Sequence, residues 1–148
     1  MGNSNSVIKI NYEGVQKAIT NKNSYIINTL CVSNQECLIE TTLSIEEEVS
    51  ILNANITKNK TTPIIVYGTN ACDETVDKKC QQLIGLGFLN IYVYPGGMFE
   101  WLLLQDIYGP DLFPTTGECK DLLNYKNCLS DKNINNLQME PNHLALLG

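Results

Sequence analysis

The stretch that decides the fold is PIIVYGTNACDETVDKKCQQLIGLGFLNIYVYPGGMFEW, which runs from Pro63 to Trp101. Its apolar run Ile64–Tyr67 predicts a buried strand, which is followed by a polar loop and a helix. FLNIYVY, at positions 88–94, predicts the next strand. Strands that alternate with helices and are apolar on both faces indicate a mainly parallel central sheet flanked by helices, an α/β fold. Such a layout usually presents a reactive group in the loop after the strand, but the first loop residue here is Gly68, which has no side chain.

The residues before this stretch predict further elements of the same kind. NYEGVQKAI (11–19) has the apolar spacing of a helix, SYIINTL (24–30) reads as a buried strand, and CLIETTLSI (37–45) reads as a second, shorter strand. Ser44 and Glu47 have the spacing of a capping box. We therefore interpret the acidic run that follows Ser44 as the solvated start of a capped helix.

Charge and composition limit the possible partners. The chain has 148 residues, the length of one domain, and a net charge of −6. All ten of its basic residues are lysines. Without a basic patch to displace counterions, we predict no nucleic-acid partner. The absence of arginine also removes the planar, bidentate group that phosphate and sulfonate sites prefer.

The cysteines of the chain could form disulfides, bind a metal or remain free thiols. There are six of them: Cys31, Cys37, Cys72, Cys80, Cys119 and Cys128. The N-terminus has neither the basic start nor the apolar segment of a secretory signal. We therefore predict free thiols in a reducing, cytoplasmic compartment. No two cysteines form a CxxC pair and the single histidine is His143, so we predict no metal site and no cofactor.

Both ends of the chain differ from the middle. Met1 to Ser6 matches the N-myristoylation pattern, with Gly2 as the acceptor. The alternative is a flexible polar leader, and a single acyl chain would give only weak membrane association. At the other end, residues 118–148 are polar and rich in asparagine, with a weak helical pattern near Leu122 and Leu123.

Seven residues of the second half form a specific pattern. They are Gly87, Phe88, Asn90, Tyr92, Gly96, Gly97 and Trp101. Together with the preceding strand, loop and helix, they resemble the C-terminal half of the rhodanese-like domain. The resemblance covers about residues 8 to 105. It implies a leader at 1–7, a single rhodanese-like domain at 8–117 and a polar C-terminal tail at 118–148.

The chain departs from that family where the family does its chemistry. Rhodaneses place their catalytic cysteine directly after the strand, where this chain has Gly68, and their Asp-x-Arg signature is replaced by Asn28-Thr29-Leu30. Phosphatases of the same fold need a cysteine and an arginine in the loop. Sulfur transfer needs a thiolate at the loop base and positive charge for an anionic donor. The loop instead carries Asp73 and Glu74, which repel such a donor.

The loop itself is the candidate site. We take it as a degenerate active-site loop formed by Gly68, Thr69, Asn70, Ala71, Cys72 and Asp73. Cys72 is the one candidate replacement nucleophile, close to the start of the next helix, although acidic neighbours oppose its thiolate. It is otherwise an incidental loop cysteine. The spacing of Asn70 and Asp73 predicts that Asn70 caps the helix with Asp73 at its third position.

Two functions from different classes follow. The first is a non-catalytic rhodanese-like module that binds a protein partner or regulates one, which would not be an enzyme. The second is an intracellular sulfurtransferase or related thiol enzyme that uses Cys72 as its nucleophile. The missing nucleophile favours the first, and the sequence does not identify the partner.

Overall fold

A computed structural model describes residues 7–119 and 121–126. The Gly2 acylation motif, Cys128, His143 and most of the proposed tail lie outside the described residues. The elements in chain order are β1 (Ile8–Lys9), α1 (Tyr12–Asn21), β2 (Tyr25–Asn28), α2 (Ile45–Lys58), β3 (Ile64–Tyr67), α3 (Glu74–Gly85), β4 (Ile91–Val93) and α4 (Gly97–Tyr108). Across the two described ranges, no helix is long and apolar enough to cross a membrane.

The strands form one parallel sheet in the order β1-β4-β3-β2. β3 lies inside the sheet, between β4 and β2, and all four of its residues are buried. The prediction of a mainly parallel α/β fold with Gly68 at the C-terminal tip of β3 is therefore confirmed. The predicted strand at 88–94 is shorter than expected, and a short strand that the sequence did not single out, β1, pairs with it.

Helices cover both faces of the sheet, and each face has its own core. On one face, Ile65 and Tyr67 of β3 pack with residues of α1 and α4, including Val15 and Trp101. On the other face, Ile64 and Val66 pack with residues of α2 and α3. The alternation along β3 follows from the two-residue repeat of a strand. It explains why this segment is apolar at every position.

The predicted strand at 37–45 is wrong. These residues make only isolated bridges, from Thr42 to Ile26 and from Ile39 to Thr115. The N–H of Ile39 donates to the buried hydroxyl of Tyr67 at 3.1 Å instead of to a strand. A loop that is buried over the core has the same apolar pattern as a strand, and the pattern alone does not separate the two.

The start of α2 confirms one prediction and corrects another. The Ser44 side chain accepts the N–H of Glu47 at 3.1 Å, and the Glu47 side chain accepts the N–H of Ser44 at 2.9 Å, a complete capping box. The acidic run is not wholly solvated, however. Glu48 is buried, and its carboxylate forms an ion pair of 2.7 Å with Lys79 of α3.

The prediction of free thiols is wrong for two of the six cysteines. Cys37 and Cys119 form a disulfide with a Cα–Cα distance of 5.4 Å. The physical reason is the antiparallel contact between residues 38–40 and 114–116, in which Glu40 N–H donates to Pro114 O and Thr116 N–H donates to Leu38 O. This contact brings together cysteines that are 82 positions apart. Cys31 and Cys72 are exposed free thiols, and Cys80 is a buried one.

Candidate functional site

The site loop, residues 68–73, begins at the C-terminal tip of β3 and is held by the start of α4. The N–H groups of Met98 and Phe99 donate to Gly68 O and Thr69 O, both at 2.9 Å. These N–H groups belong to the first turn of α4, where a helix has no internal partners for them. The loop carbonyls are therefore bound to α4, and the shape of the loop is fixed by that helix.

The close approach of α4 depends on a glycine. Gly97 has a φ of +65°, and a Cβ there would lie 2.6 Å from Gly68 O and 3.0 Å from Asn70 N. Any larger residue would be strained in this backbone region and would also push the helix away from the loop. Gly97 is the second glycine of the pattern that suggested the family, so that pattern has a direct physical reason here.

The interior of the loop is occupied by a carboxylate. Asp73 is the N-cap of α3, and its side chain accepts the N–H of Thr75 at 3.0 Å. The Thr75 hydroxyl donates to the same oxygen, Oδ1, and the other oxygen, Oδ2, accepts the N–H of Thr69 at 2.8 Å. Backbone N–H groups at a helix N-terminus are the donors that an anion would use. In this loop, an internal anion uses them.

The same carboxylate leaves no room for a side chain at Gly68. A Cβ on Gly68 would lie 2.6 Å from Asp73 Oδ2, 2.6 Å from Val76 Cγ2 and 2.9 Å from Thr29 Oγ1. Atoms at these distances overlap, so one or more of them would have to move. The glycine at position 68 therefore does more than remove a nucleophile. Its lack of a side chain allows Asp73, Val76 and Thr29 to pack around it.

The pKa of Asp73 reflects these contacts. Burial by itself raises it, but hydrogen bonds from Thr69 and Thr75 lower it by more, and the pKa lies below its ordinary value of 3.8. A carboxylate that is ionised more easily in the folded chain stabilises the fold above its unfolded pKa. That stabilisation is lost as the pH falls through the lower, folded value.

Asp73→Ala is expected to lower the free energy of unfolding at neutral pH by about 1–2 kcal/mol, because it removes the cap of α3. The difference from the wild type should shrink as the pH falls below about 4, where Asp73 of the unfolded chain takes up a proton before Asp73 of the folded chain does. Urea unfolding at a series of pH values measures this. Asp73→Asn is the control, because it keeps an oxygen for the cap but should lose the pH dependence. An Asp73→Ala difference that does not change with pH would contradict the proposed role of the charge.

Asn70 does not cap α3, which corrects the prediction from its spacing. Its Oδ1 accepts the N–H of Cys72 at 2.9 Å, which closes a turn within the loop. Its Nδ2 donates to Tyr125 O at 3.0 Å and to Lys126 O at 3.2 Å. Asn70 therefore joins the site loop to the segment 121–126, part of the region proposed as tail. That segment contains a 3₁₀ helix, Leu122–Tyr125, and Tyr125 is buried.

Cys72 lies at the rim of the loop, outside α3. Its side chain is exposed and borders a cavity of about 250 Å³. Lys9 of β1 lines the same cavity and supplies a positive charge, while Asp73, Glu74 and Asp77 line it with carboxylates. Because acidic groups outnumber the lysine, this cavity does not favour an anionic substrate.

The residues at the position of the Asp-x-Arg signature have structural contacts. The Asn28 side chain is buried, and its Oδ1 accepts the N–H of Leu30 at 3.0 Å and the amide of Gln35 at 2.8 Å. Thr29 borders the site, and its hydroxyl is hydrogen-bonded to the Thr75 hydroxyl, with the two oxygens 2.7 Å apart. Sequence reasoning missed Thr29, Thr75 and Tyr125 as site residues. The Asp73-x-Thr75 spacing, which suits a local side-chain turn, was the one available signal.

Comparison with solved structures identifies the fold. A rhodanese-like domain from Anabaena sp. superposes with a TM-score of 0.51 at 18% identity, over 84% of this chain and 93% of that one. A yeast protein tyrosine phosphatase of the rhodanese family gives a TM-score of 0.50 at 11% identity, over 77% and 95% of the two chains. A thiosulfate sulfurtransferase from Pseudomonas aeruginosa gives 0.52 at 20% identity, over 66% of this chain and 19% of that much longer one.

The chain therefore has the fold of rhodanese-like domains, as the resemblance predicted. No protein-family model and no curated protein sequence matches it. The similar structures include a sulfurtransferase and a phosphatase. At these identities the likeness establishes the fold alone, so the activity has to be argued from the site loop.

Proposed function

We propose that this chain is a non-catalytic rhodanese-like module that binds a protein partner through the rim of its site loop. The observation that carries the proposal is the Asp73 carboxylate, which accepts the N–H groups of Thr69 and Thr75. A thiolate at the loop base, or the anion of a sulfur donor, would need such donors. The loop thus supplies its own anion in place of a substrate.

The rim residues set the chemistry of the proposed partner. Ala71, Cys72, Glu74 and Asp77 are exposed around the loop, and the chain carries a net charge of −6. A partner with a basic contact surface complements these charges. Because the charges are exposed, added salt should weaken the complex.

A second candidate function rests on the exposed Cys72 thiol beside Lys9. In this alternative, the Cys72 thiolate attacks the outer sulfur of thiosulfate, a persulfide forms on Cys72 and sulfite leaves. Cyanide then takes the sulfur from the persulfide and leaves as thiocyanate, which regenerates the thiolate. The carboxylates that line the same cavity repel the dianionic donor.

A thiosulfate:cyanide sulfurtransferase assay separates the two functions. We expect the wild type, Cys72→Ala and Cys31→Ala to give the same background rate. Cys31→Ala is the matched control, because it removes the other exposed free thiol. Turnover in the wild type and in Cys31→Ala that is abolished in Cys72→Ala would make the chain an enzyme and refute the non-catalytic proposal.

A further inference from the structure

The Cys37–Cys119 disulfide lies between the body of the domain and a segment that contacts the site loop. On one side of the disulfide, residues 114–116 are hydrogen-bonded to residues 38–40. On the other side, the segment 121–126 extends to the loop, where Tyr125 O and Lys126 O accept hydrogen bonds from Asn70. The disulfide thus attaches the chain covalently to the body of the domain just before the segment that holds Asn70.

Asn70 couples that segment to the shape of the loop. One end of its amide accepts the Cys72 N–H within the loop, while the other end donates to the segment. If the segment leaves, Nδ2 loses these acceptors and the turn that orients Cys72 loses its outer support. The position of residues 121–126 therefore affects the conformation of the loop at Asn70 and Cys72.

Two apolar side chains of the segment pack against the body of the domain, and a third is exposed. Tyr125 is buried in the core cluster formed with α1 and α4, and Leu122 packs partly against that cluster, whereas Leu123 is 58% exposed. Ordering each backbone residue costs about as much free energy as one or two such hydrogen bonds return. A disulfide next to the segment lowers the entropic cost of ordering it, because the cross-linked chain has fewer conformations when the segment is detached.

The disulfide is open to attack from one side. It borders a cavity of about 170 Å³ lined by both cysteines and by Tyr125. Cys37 is buried, at 4% exposure, while Cys119 is partly exposed. An incoming thiolate therefore reaches the sulfur of Cys119 more easily than that of Cys37, and accessibility of this kind distinguishes exchangeable disulfides from inert ones.

From these contacts, we propose that Cys37–Cys119 is a redox latch that holds residues 121–126 against the site loop and releases them when a dithiol reduces it. One thiolate of the dithiol attacks Cys119 Sγ, the bond between the protein sulfurs breaks, and Cys37 leaves as a thiolate. The second thiol of the reductant then displaces Cys119. Two electrons and two protons pass to the protein, which keeps two thiols, and the reductant leaves as a disulfide. Release frees the Asn70 side chain, which lies beside the exposed loop rim.

Hydrogen–deuterium exchange read by mass spectrometry tests the latch without a partner or an activity. The untreated wild type is compared with the wild type in dithiothreitol and with Cys37→Ser/Cys119→Ser. We expect amides in 121–126 and in 69–73 to exchange at least about tenfold faster in both opened forms, while the amides of β3 stay as slow as in the oxidised protein. Dithiothreitol should change nothing further in the double serine variant, and it should open Cys31→Ser/Cys72→Ser as it opens the wild type.

Three results would overturn the latch. Unchanged exchange in 121–126 after reduction would mean that the contacts of Tyr125 and Asn70 hold the segment alone. Equal acceleration of the β3 amides would make the disulfide a support of the whole fold. Free thiols at Cys37 and Cys119 in the untreated protein, detected by alkylation, would mean that no latch is present.

Discussion

Gly68→Cys, the substitution that places a cysteine where rhodaneses carry theirs, is expected to lower the free energy of unfolding by about 2–4 kcal/mol and to create no sulfurtransferase. Its Cβ would meet Asp73 Oδ2 and Val76 Cγ2 at 2.6 Å. Relief of that overlap requires Val76 and the Asp73 carboxylate to shift, and Oδ2 is the oxygen that accepts the N–H of Thr69. The variant therefore loses packing and disturbs the carboxylate that caps α3, and its sulfur lies beside a negative charge.

Urea unfolding measures the loss, and Gly85→Cys is the matched control. Gly85 also belongs to this part of the chain, at the end of α3, but a Cβ there meets nothing within 4 Å and its φ is not in the left-handed region. We expect Gly85→Cys to change the free energy of unfolding by less than about 1 kcal/mol, because cysteine suits a helix slightly better than glycine does. Equal stability of Gly68→Cys and Gly85→Cys would mean that the loop has room for a nucleophile after all.

The sheet was predictable because burial on both faces leaves a distinct pattern. Ile64–Tyr67 is apolar at every position since helices cover both sides of β3, and few other elements produce such a run between two polar loops. The capping box was predictable for a similar reason, because Ser44 and Glu47 contact each other within one helical turn. Local geometry of this kind follows from spacing alone.

The hydrogen bonds of the loop were less predictable, because more than one of its side chains could cap α3. Asn70 and Asp73 are both good capping residues, and what separates them is the contact of Asn70 with Tyr125, 55 positions further along the chain. The sequence indicated that Asp73 would repel an anionic donor. That its carboxylate occupies the interior of the loop depends on where α3 and α4 hold the backbone, and this was not readable from spacing.

The disulfide was missed for the same physical reason. No spacing rule relates Cys37 to Cys119, and the prediction of free thiols rested on the absence of a secretory signal. The two cysteines meet because residues 38–40 and 114–116 form an antiparallel contact outside the regular sheet. The prediction of a cytoplasmic location stays a prediction, and a redox latch is a disulfide that would be opened in a reducing compartment.

The second large effect concerns the carboxylate itself. In a Cys31→Ser, Cys72→Ser background, we expect Gly68→Cys/Asp73→Ala to form a persulfide from thiosulfate roughly a hundredfold faster than Gly68→Cys does. Removal of Asp73 takes away one of the three atoms that the new Cβ would meet, leaving Val76 Cγ2 and Thr29 Oγ1, and it frees the N–H groups of Thr69 and Thr75 for the sulfur or the donor. It also removes an opposing charge, which at a few ångströms and an effective dielectric near 20 costs about 2–4 kcal/mol.

Mass spectrometry of the reacted protein measures the extra sulfur, and Gly68→Cys/Asp77→Ala is the control for charge alone. Asp77 lines the same cavity as Asp73, but it accepts neither the Thr69 nor the Thr75 N–H. We expect that control to react within about tenfold of Gly68→Cys, since an exposed charge is screened. If both double variants reacted equally fast, the gain in rate would come from the loss of any nearby negative charge. The Asp73 carboxylate would then not be what excludes an anion from the loop. A hundredfold difference between them would mean that one side chain, Asp73, fills an anion site that the fold still builds.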